Sequence, residues 1–331
     1  MTTIKDVAKK AQVAISTASY ALNNSPKVSA KTRERVLKAA EELGYCPNGV
    51  ARNLKKNKTE TIGLFLNDLG GPFYSEIVQG AQEVVSSNGY DLVACSTYGG
   101  VDSTAYRFLQ EKRVDGAILL GSSIPDDLIL KAARQDFPIV VLDRELQGDY
   151  VCSVLIDNSE GACQAVNHLS KLVYRKIGYL SGPTNSYDNQ QRFEGFKKAL
   201  QDNNIPYISK WNVQGKFTEN GGYHAVKMLL AGGQLPEAIF SANDEMAIGA
   251  MCALQEAHVR IPEDLAIVGF DDIRLASYMK PQLTTVAQPK YEWGTMATHI
   301  IFQALEGDVL TNIVRLPVEL VIRESCGVNL K

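Results

Sequence analysis

The sequence predicts an α/β protein, with a small all-helical helix-turn-helix head followed by a two-lobed core of parallel sheets. Three observations carry this. Apolar residues recur at helical spacing in two short, phase-shifted sets within residues 3–23. From residue 61 onward, short apolar runs alternate with amphipathic helical patterns. Charge is divided unequally, with 12 Lys and Arg against 5 Asp and Glu up to residue 60, and 22 against 32 beyond it.

The head begins with TIKDVAKKAQVAISTASYALN. Ile4, Val7, Ala8 and Ala11 fall at i, i+3, i+4 and i+7, one face of a short amphipathic helix. Gln12 and Val13 break the pattern, and Ala18, Ala21 and Leu22 restart it in a new phase. Two short helices joined by a tight turn, sharing one small core, make a helix-turn-helix. A rotation of about 100° per residue from Ala18 carries Ser16 and Tyr20 toward the opposite side, with Thr17 and Asn23 flanking them. Hydroxyl, phenol and amide groups on an outward face can read base edges in a major groove. The same spacing also fits an ordinary helical hairpin with a polar outer face.

After Asn23 the run NNSPKV supplies turn chemistry, and Ser29 is a candidate N-cap for a third helix reaching about Leu43. Val36, Leu37, Ala40 and Leu43 are expected to form its apolar stripe, with Gly44 at the C′ position. A bundle this small has a marginal core, so the head is expected to gain stability on binding. Its positive charge is the footprint of a polyanionic partner.

A chain of 331 residues is long enough for two or three domains. No apolar run reaches 18 residues, and MTTIKDVAKK lacks the apolar centre of a signal peptide, so neither spanning nor export is expected and the protein is expected to be cytoplasmic. Cys46, Cys95, Cys152, Cys163, Cys252 and Cys326 are scattered without a C-x-x-C pair. They are read as reduced and mostly buried. His168, His224, His258 and His299 are equally isolated, so no metal and no cofactor are expected.

The head motif closely resembles the amino-terminal signature of the lactose/galactose repressor family, T-I-x-D-V-A-x-x-A-x-V-S-x-x-T-V-S-x-x-L-N. Ala14 stands for the usual Ser and Ala18 for the usual Val. The resemblance continues through YCPNGVARNLKKNK, residues 45–58, where the family has a hinge that becomes helical when two chains meet on DNA. That likeness implies that Leu54 enters the minor groove as a wedge, followed by Lys55. Gly49 replaces the family's usual Ala and disfavours the hinge helix by roughly 1 kcal/mol, which favours folding only upon binding. The residues expected to face DNA are Thr3, Ile15, Ser16, Thr17, Tyr20, Asn23, Leu54 and Lys55.

In the core, TIGLFL, YDLVAC, GAILL, IVVLD, SVLID, KIGYLSG, AIFSA and LAIVGFD read as strands. FYSEIVQGAQEVVSSNG and NDEMAIGAMCALQEA, among the segments between them, read as amphipathic helices. The family's core has the fold of periplasmic binding proteins. That likeness implies lobe one at about residues 61–157 plus 288–318 and lobe two at about 158–287 plus 319–331, behind a head over 1–45 and a hinge over 46–60.

Ligands bind beyond the carboxyl ends of parallel strands. Just past those ends lie Phe73, Asp143, Arg144, Arg192, Phe217, Asn243 and Asp271. Aromatic faces stack on sugar rings, Arg donates in a fork, and Asp or Asn accepts from hydroxyls. Each alone also fits a surface charge or a cap, and Asp244 fits an N-cap of the helix EMAIGAM. RFEGFKKAL, SANDEMAIGA, VGFDD and PQLTTVAQP resemble family blocks and place Phe73, Arg192, Phe217, Asn243 and Asp271 at effector contacts. The loop around Ser186 and Asp188 is expected to set which sugar fits.

The resulting expectation is a homodimeric, sequence-specific transcriptional regulator, a repressor by analogy. Its affinity for a palindromic double-stranded operator is set by a small carbohydrate between the lobes. A dimer is expected because the chain ends at ESCGVNLK without a leucine-heptad tail. The alternatives are a regulator using a purine co-repressor or a phosphoprotein partner, and an enzyme on the same fold. Catalysis is disfavoured because G-x-x-x-x-G-K-[ST], G-x-S-x-G and H-E-x-x-H are missing, and no G-x-G-x-x-G follows a strand.

Overall fold

The computed structural model describes residues 2–46, 58–308 and 313–327. They divide into two compact units, meeting between Thr59 and Glu60.

In the head, α1 spans Ile4–Lys10, α2 Ile15–Leu22 and α3 Ala30–Glu42. The Asp6 carboxylate opens α1 by accepting from both the N–H and the hydroxyl of Thr3, at 2.9 and 2.7 Å. Gln12, at φ 51°, turns the chain toward α2. Ala14 holds the N-cap position of α2, where its methyl group accepts nothing. Ser29 caps α3 by accepting from the Thr32 N–H at 3.3 Å, and Gly44 follows the helix at φ 58°. Val7, Ala8, Ala11, Ala18, Ala21, Val36, Ala39 and Ala40 are packed into one core. Leu37 departs from expectation and is 48% exposed. It lies one step of about 100° beyond Val36, so Ala39 takes its place in the stripe.

The larger unit holds two six-stranded sheets among the described residues. The first contains β1 (Thr61–Leu66), β2 (Asp91–Ser96), β3 (Gly116–Leu120), β4 (Ile139–Val141), β5 (Val151–Ile156) and β11 (Ile313–Leu316), in the order β11-β5-β4-β3-β1-β2, all parallel. The second contains β6 (Ile177–Ser181), β7 (Asn212–Gln214), β8 (Ala238–Ser241), β9 (Ala266–Asp271), β10 (Thr284–Ala287) and β12 (Glu319–Val321), in the order β12-β10-β9-β8-β6-β7. Only β12 runs antiparallel to its neighbour there. The eight apolar runs named above all form strands; β7, β10, β11 and β12 were not foreseen. They are three or four residues long, and β7, β11 and β12 are half-exposed edges without a long apolar run to announce them.

Alternation along the strands divides the packing. Ile62, Leu64 and Leu66 join Ile77, Trp293 and Ile301 on one face of the first sheet, while Phe65 joins Leu109 and Ile129 on the other. The chain passes between sheets after β5, after β10 and after β11, so α11 (Lys290–Glu306) packs on the first sheet although β10 lies in the second. It meets α4 (Ser75–Ser87) at paired glycines. A Cβ at Gly80 would lie 2.2 Å from the Tyr291 carbonyl, and one at Gly294 would lie 2.1 Å from that of Ile77. Among the described residues, no helix is long and apolar enough to cross a membrane. Cys152, Cys163 and Cys326 are buried; Cys95 and Cys252 are half-buried and Cys46 is exposed, so burial is less general than expected.

Candidate functional site

A cavity of about 190 Å³ is lined by residues that follow strands of both sheets. Phe73 and Tyr74 follow β1, Ser122 follows β3 and Asp143 follows β4. Asn185, Ser186, Tyr187, Asp188 and Arg192 come after β6, Phe217 after β7, Asn243 and Glu245 after β8, and Asp271 ends β9. Strand order reverses beside β1 and β3 in one sheet and beside β6 and β8 in the other, which is where such sheets leave a crevice.

Arg192 is the sixth residue of α8 (Tyr187–Asp202) and is only 4% exposed. It sits one turn into the helix and is already held by protein. Its Nε donates to Asn158 Oδ1 at 2.7 Å and its Nη1 to the Ala242 carbonyl, with Asp271 Oδ1 at 3.4 Å. Its flat face lies over Phe270, 3.8 Å from the ring centroid.

Carboxylates line the same cavity as Arg192. Asp271, in the left-handed region at φ 117°, accepts from Gln288 Nε2 at 2.6 Å. Burial raises its carboxyl to about 6, with Arg192 and Lys290 pulling the other way. Asp188 accepts from Asn158 Nδ2 at 2.8 Å and keeps part of its surface open to the cavity. Enclosure by the protein raises it to about 6 against Arg192 and that hydrogen bond. Asp143 is likewise raised by burial to about 6, opposed by Arg144. Asn243, not Asp244, caps α10 (Asp244–Glu256): its Oδ1 accepts from the Met246 N–H at 3.0 Å and its Nδ2 donates to the Phe217 carbonyl at 3.2 Å. Asp244 is buried behind it, accepting from Thr285 Oγ1 at 2.6 Å and from the Ile273 N–H at 2.9 Å. Burial and the neighbouring Asp271 raise its carboxyl well above the usual range.

Phe73, Tyr74 and Phe217 supply the apolar walls. Phe73 packs edge-on against Tyr74 and Trp293, with centroids at 5.2 and 6.4 Å. Burial and the nearby Asp68, Asp271, Glu245 and Asp143 keep the Tyr74 phenol protonated. Donors, acceptors and ring faces thus converge on a space of small-molecule size. Among the described residues, no group of three or more His, Cys, Asp and Glu is arranged to hold a metal.

Of the seven effector residues named from the sequence, Phe73, Asp143, Arg192, Phe217, Asn243 and Asp271 line this cavity. Arg144 does not. Its guanidinium donates to the carbonyls of Gly121 and Ile124 at 3.1 and 2.9 Å and pairs with Asp126 at 2.8 Å, which pins the loop after β3. Ser186 and Asp188, from the loop expected to set which sugar fits, also line the cavity, and Asn67, Tyr187 and Glu245 join them without having been named from the sequence. Asn67 directly follows a strand and Glu245 opens a helix, and both positions carry a signal that the sequence offers.

In the head, Ile15 and Tyr20 are 48% and 41% exposed, Ser16 is exposed beside them, and Thr17 is half-buried. Lys27 Nζ stands 5.4 Å from the centre of the Tyr20 ring, adding a cation to this face that was not chosen. Thr3 is exposed but bonded to Asp6, and Asn23 Nδ2 donates to the Ser19 carbonyl at 2.8 Å. Leu54, Lys55 and Gly49 lie outside the described residues.

A helix-turn-helix joined to a two-sheet core with a polar cleft defines a ligand-binding DNA regulator. Residues 3–48 match the model for bacterial regulatory proteins of the lacI family, and residues 166–326 match that for a periplasmic binding protein-like domain. The chain is 38% identical over 309 residues to the HTH-type transcriptional repressor PurR of Proteus mirabilis, covering 92% of this chain and 91% of that protein. It superposes with a TM-score of 0.83 and 31% identity on the lac repressor dimer bound to operator and the anti-inducer ONPF, covering 98% of this chain and 99% of that one. The transcriptional regulator CelR in complex with cellobiose gives 0.73 and 30%, over 98% and 100% of the two chains. The chain belongs to the lacI family of DNA-binding transcriptional regulators with a ligand-binding core.

Proposed function

We propose that this protein is a cytoplasmic, homodimeric repressor whose affinity for a palindromic operator is set by a small carbohydrate in the cavity. The observation that carries the ligand class is the set of acceptors Asp143, Asp188, Asn243 and Asp271 that line one cavity with Arg192 and with the rings of Phe73, Tyr74 and Phe217. Adjacent sugar hydroxyls donate into such carboxylates while the ring's C–H faces stack on aromatics. Sugar and operator then compete for the conformations of one dimer.

The exposed Ile15, Ser16 and Tyr20 support α2 as the base-reading helix, and two heads match the two halves of a palindrome. A second reading, control by a purine co-repressor, is favoured by the 38% identity to the repressor named PurR. Operator gel shifts against a panel of saccharides and nucleobases separate the two. Release from DNA by a saccharide supports the first, and a nucleobase that tightens the complex would replace it with the second. In the same assay Tyr20→Ala is expected to relax sequence choice by about 1–3 kcal/mol at one base pair, and log affinity to fall with log salt at about −0.9 per phosphate neutralised. A salt-independent affinity would remove the head from the interface.

A further inference from the structure

Resting on that carbohydrate reading, we propose that the cavity takes an uncharged sugar and rejects its phosphate ester, so that the regulator senses the sugar before phosphorylation. Three helices begin at the cavity wall: α4 behind Tyr74, α8 behind Ser186 and α10 behind Asn243. Helix N-termini ordinarily attract anions, through unpaired N–H groups and the macrodipole. At α8 and α10 the protein has supplied caps and anions of its own. Ser186 Oγ already accepts from the Asn189 N–H and Asn243 Oδ1 from the Met246 N–H. Asp188 and Glu245 sit in the first turns of α8 and α10 and line the cavity, with Asp143 and Asp271 beside them.

The cations do not offset this. Arg192 is engaged by Asn158, the Ala242 carbonyl and Asp271. Arg144 and Lys290 stand outside the lining. Arg144 is tied to Gly121, Ile124 and Asp126, and Lys290 to the carbonyls of Asp271 and Asp272 and to Glu76 at 3.5 Å. A phosphate ester entering this space meets four carboxylates and one occupied guanidinium, and each like-charge pair at close range is unfavourable. A neutral sugar adds no charge and donates hydroxyl hydrogens to the same oxygens.

The test is calorimetric titration of the full-length protein with glucose, ribose and cellobiose, with glucose 6-phosphate and ribose 5-phosphate, and with inorganic phosphate and hypoxanthine. The panel is repeated on Asp188→Asn and Glu245→Gln, each checked for an unchanged unfolding midpoint. A neutral saccharide is expected to bind at least ~100-fold more tightly than its own ester, the gap narrowing in both variants as one repulsive charge is removed. An ester that binds as tightly as its parent sugar, or a gap unmoved in variants that fold normally, would overturn the charge filter while leaving the carbohydrate reading in place. Binding of hypoxanthine with no saccharide bound in either form would overturn both.

Discussion

The Arg192 guanidinium lies over the Phe270 ring at 3.8 Å from its centroid, while the next residue, Asp271, places a carboxylate oxygen 3.4 Å from Arg192 Nη1. Adjacent residues of one strand thus hold a single cation from α8 by its face and by its edge. Removing it leaves Asp271 without its guanidinium and Asn158 Oδ1 without its donor inside a buried network. Arg192→Ala is therefore expected to abolish effector binding and also to destabilise the core by about 3 kcal/mol. Urea unfolding beside effector calorimetry checks this; lost effector binding with unchanged stability would mean that Arg192 serves the ligand alone.

Tyr187, at the start of α8, donates to Glu145 Oε1 at 2.9 Å, and Arg315 on β11 pairs with the same carboxylate. The tie joins elements of the two sheets beside the lining. Tyr187→Phe is expected to weaken effector binding by about 0.5–1 kcal/mol, the scale of one partly exposed hydrogen bond, with little change in unfolding midpoint. Equal affinities of the two forms would show that the bond is worth the same in the free and bound states.

Protons should leave on effector binding. Asp143, Asp188 and Asp271 titrate near 6 because burial disfavours their charged forms. Ligand hydroxyls favour the ionised carboxylate, so these pKa values fall in the complex and it holds fewer protons than the free protein around pH 5–6.5. Affinity is then expected to rise with pH through that window and level off above about pH 7. Calorimetry at pH 6 in buffers of different ionisation enthalpy measures the release directly, and proton uptake would contradict it.

Ala14 leaves α2 without a side-chain cap. Ala14→Ser is expected to stabilise the head by about 1 kcal/mol. Slower amide hydrogen exchange across residues 15–22 in the full-length protein is the readout, and unchanged exchange would place the limiting opening elsewhere.

Val173 follows the C-terminus of α7 (Asn158–Lys171) in the left-handed region at φ 68° and is 63% exposed. A β-branched residue is strained there and a glycine is not. Val173→Gly is expected to raise core stability by about 1 kcal/mol, shifting the urea midpoint at constant slope. A lower midpoint would mean that contacts of the valyl methyls outweigh the backbone strain.

Much of this molecule was legible in the chain itself because local patterns report local constraints. The phase break at Gln12 marked the head, and the apolar runs marked the long strands, since a strand buried on both faces must be apolar throughout. Phe73, Asp143, Asn243 and Asp271 were found by looking just beyond strand ends, a rule that follows from sheet topology, whereas Phe217 follows β7, a strand that the pattern did not announce. Arg144 satisfied that same rule and failed it in space, because sequence position does not say whether a guanidinium turns to the cleft or to the carbonyls behind it. Leu37 failed because neighbouring apolar residues look alike until the bundle selects which of them faces inward. Only the tertiary structure decided that Asn243 caps α10 while Asp244 is buried, that α11 crosses to the first sheet through Gly80 and Gly294, and that Asp188 and Glu245 share one cavity with Arg192. Apart from the local Asn243 cap and the Asp188–Arg192 pair, these join residues tens to hundreds of positions apart, set by packing volume and by the pairing of buried polar groups, and no local periodicity records them.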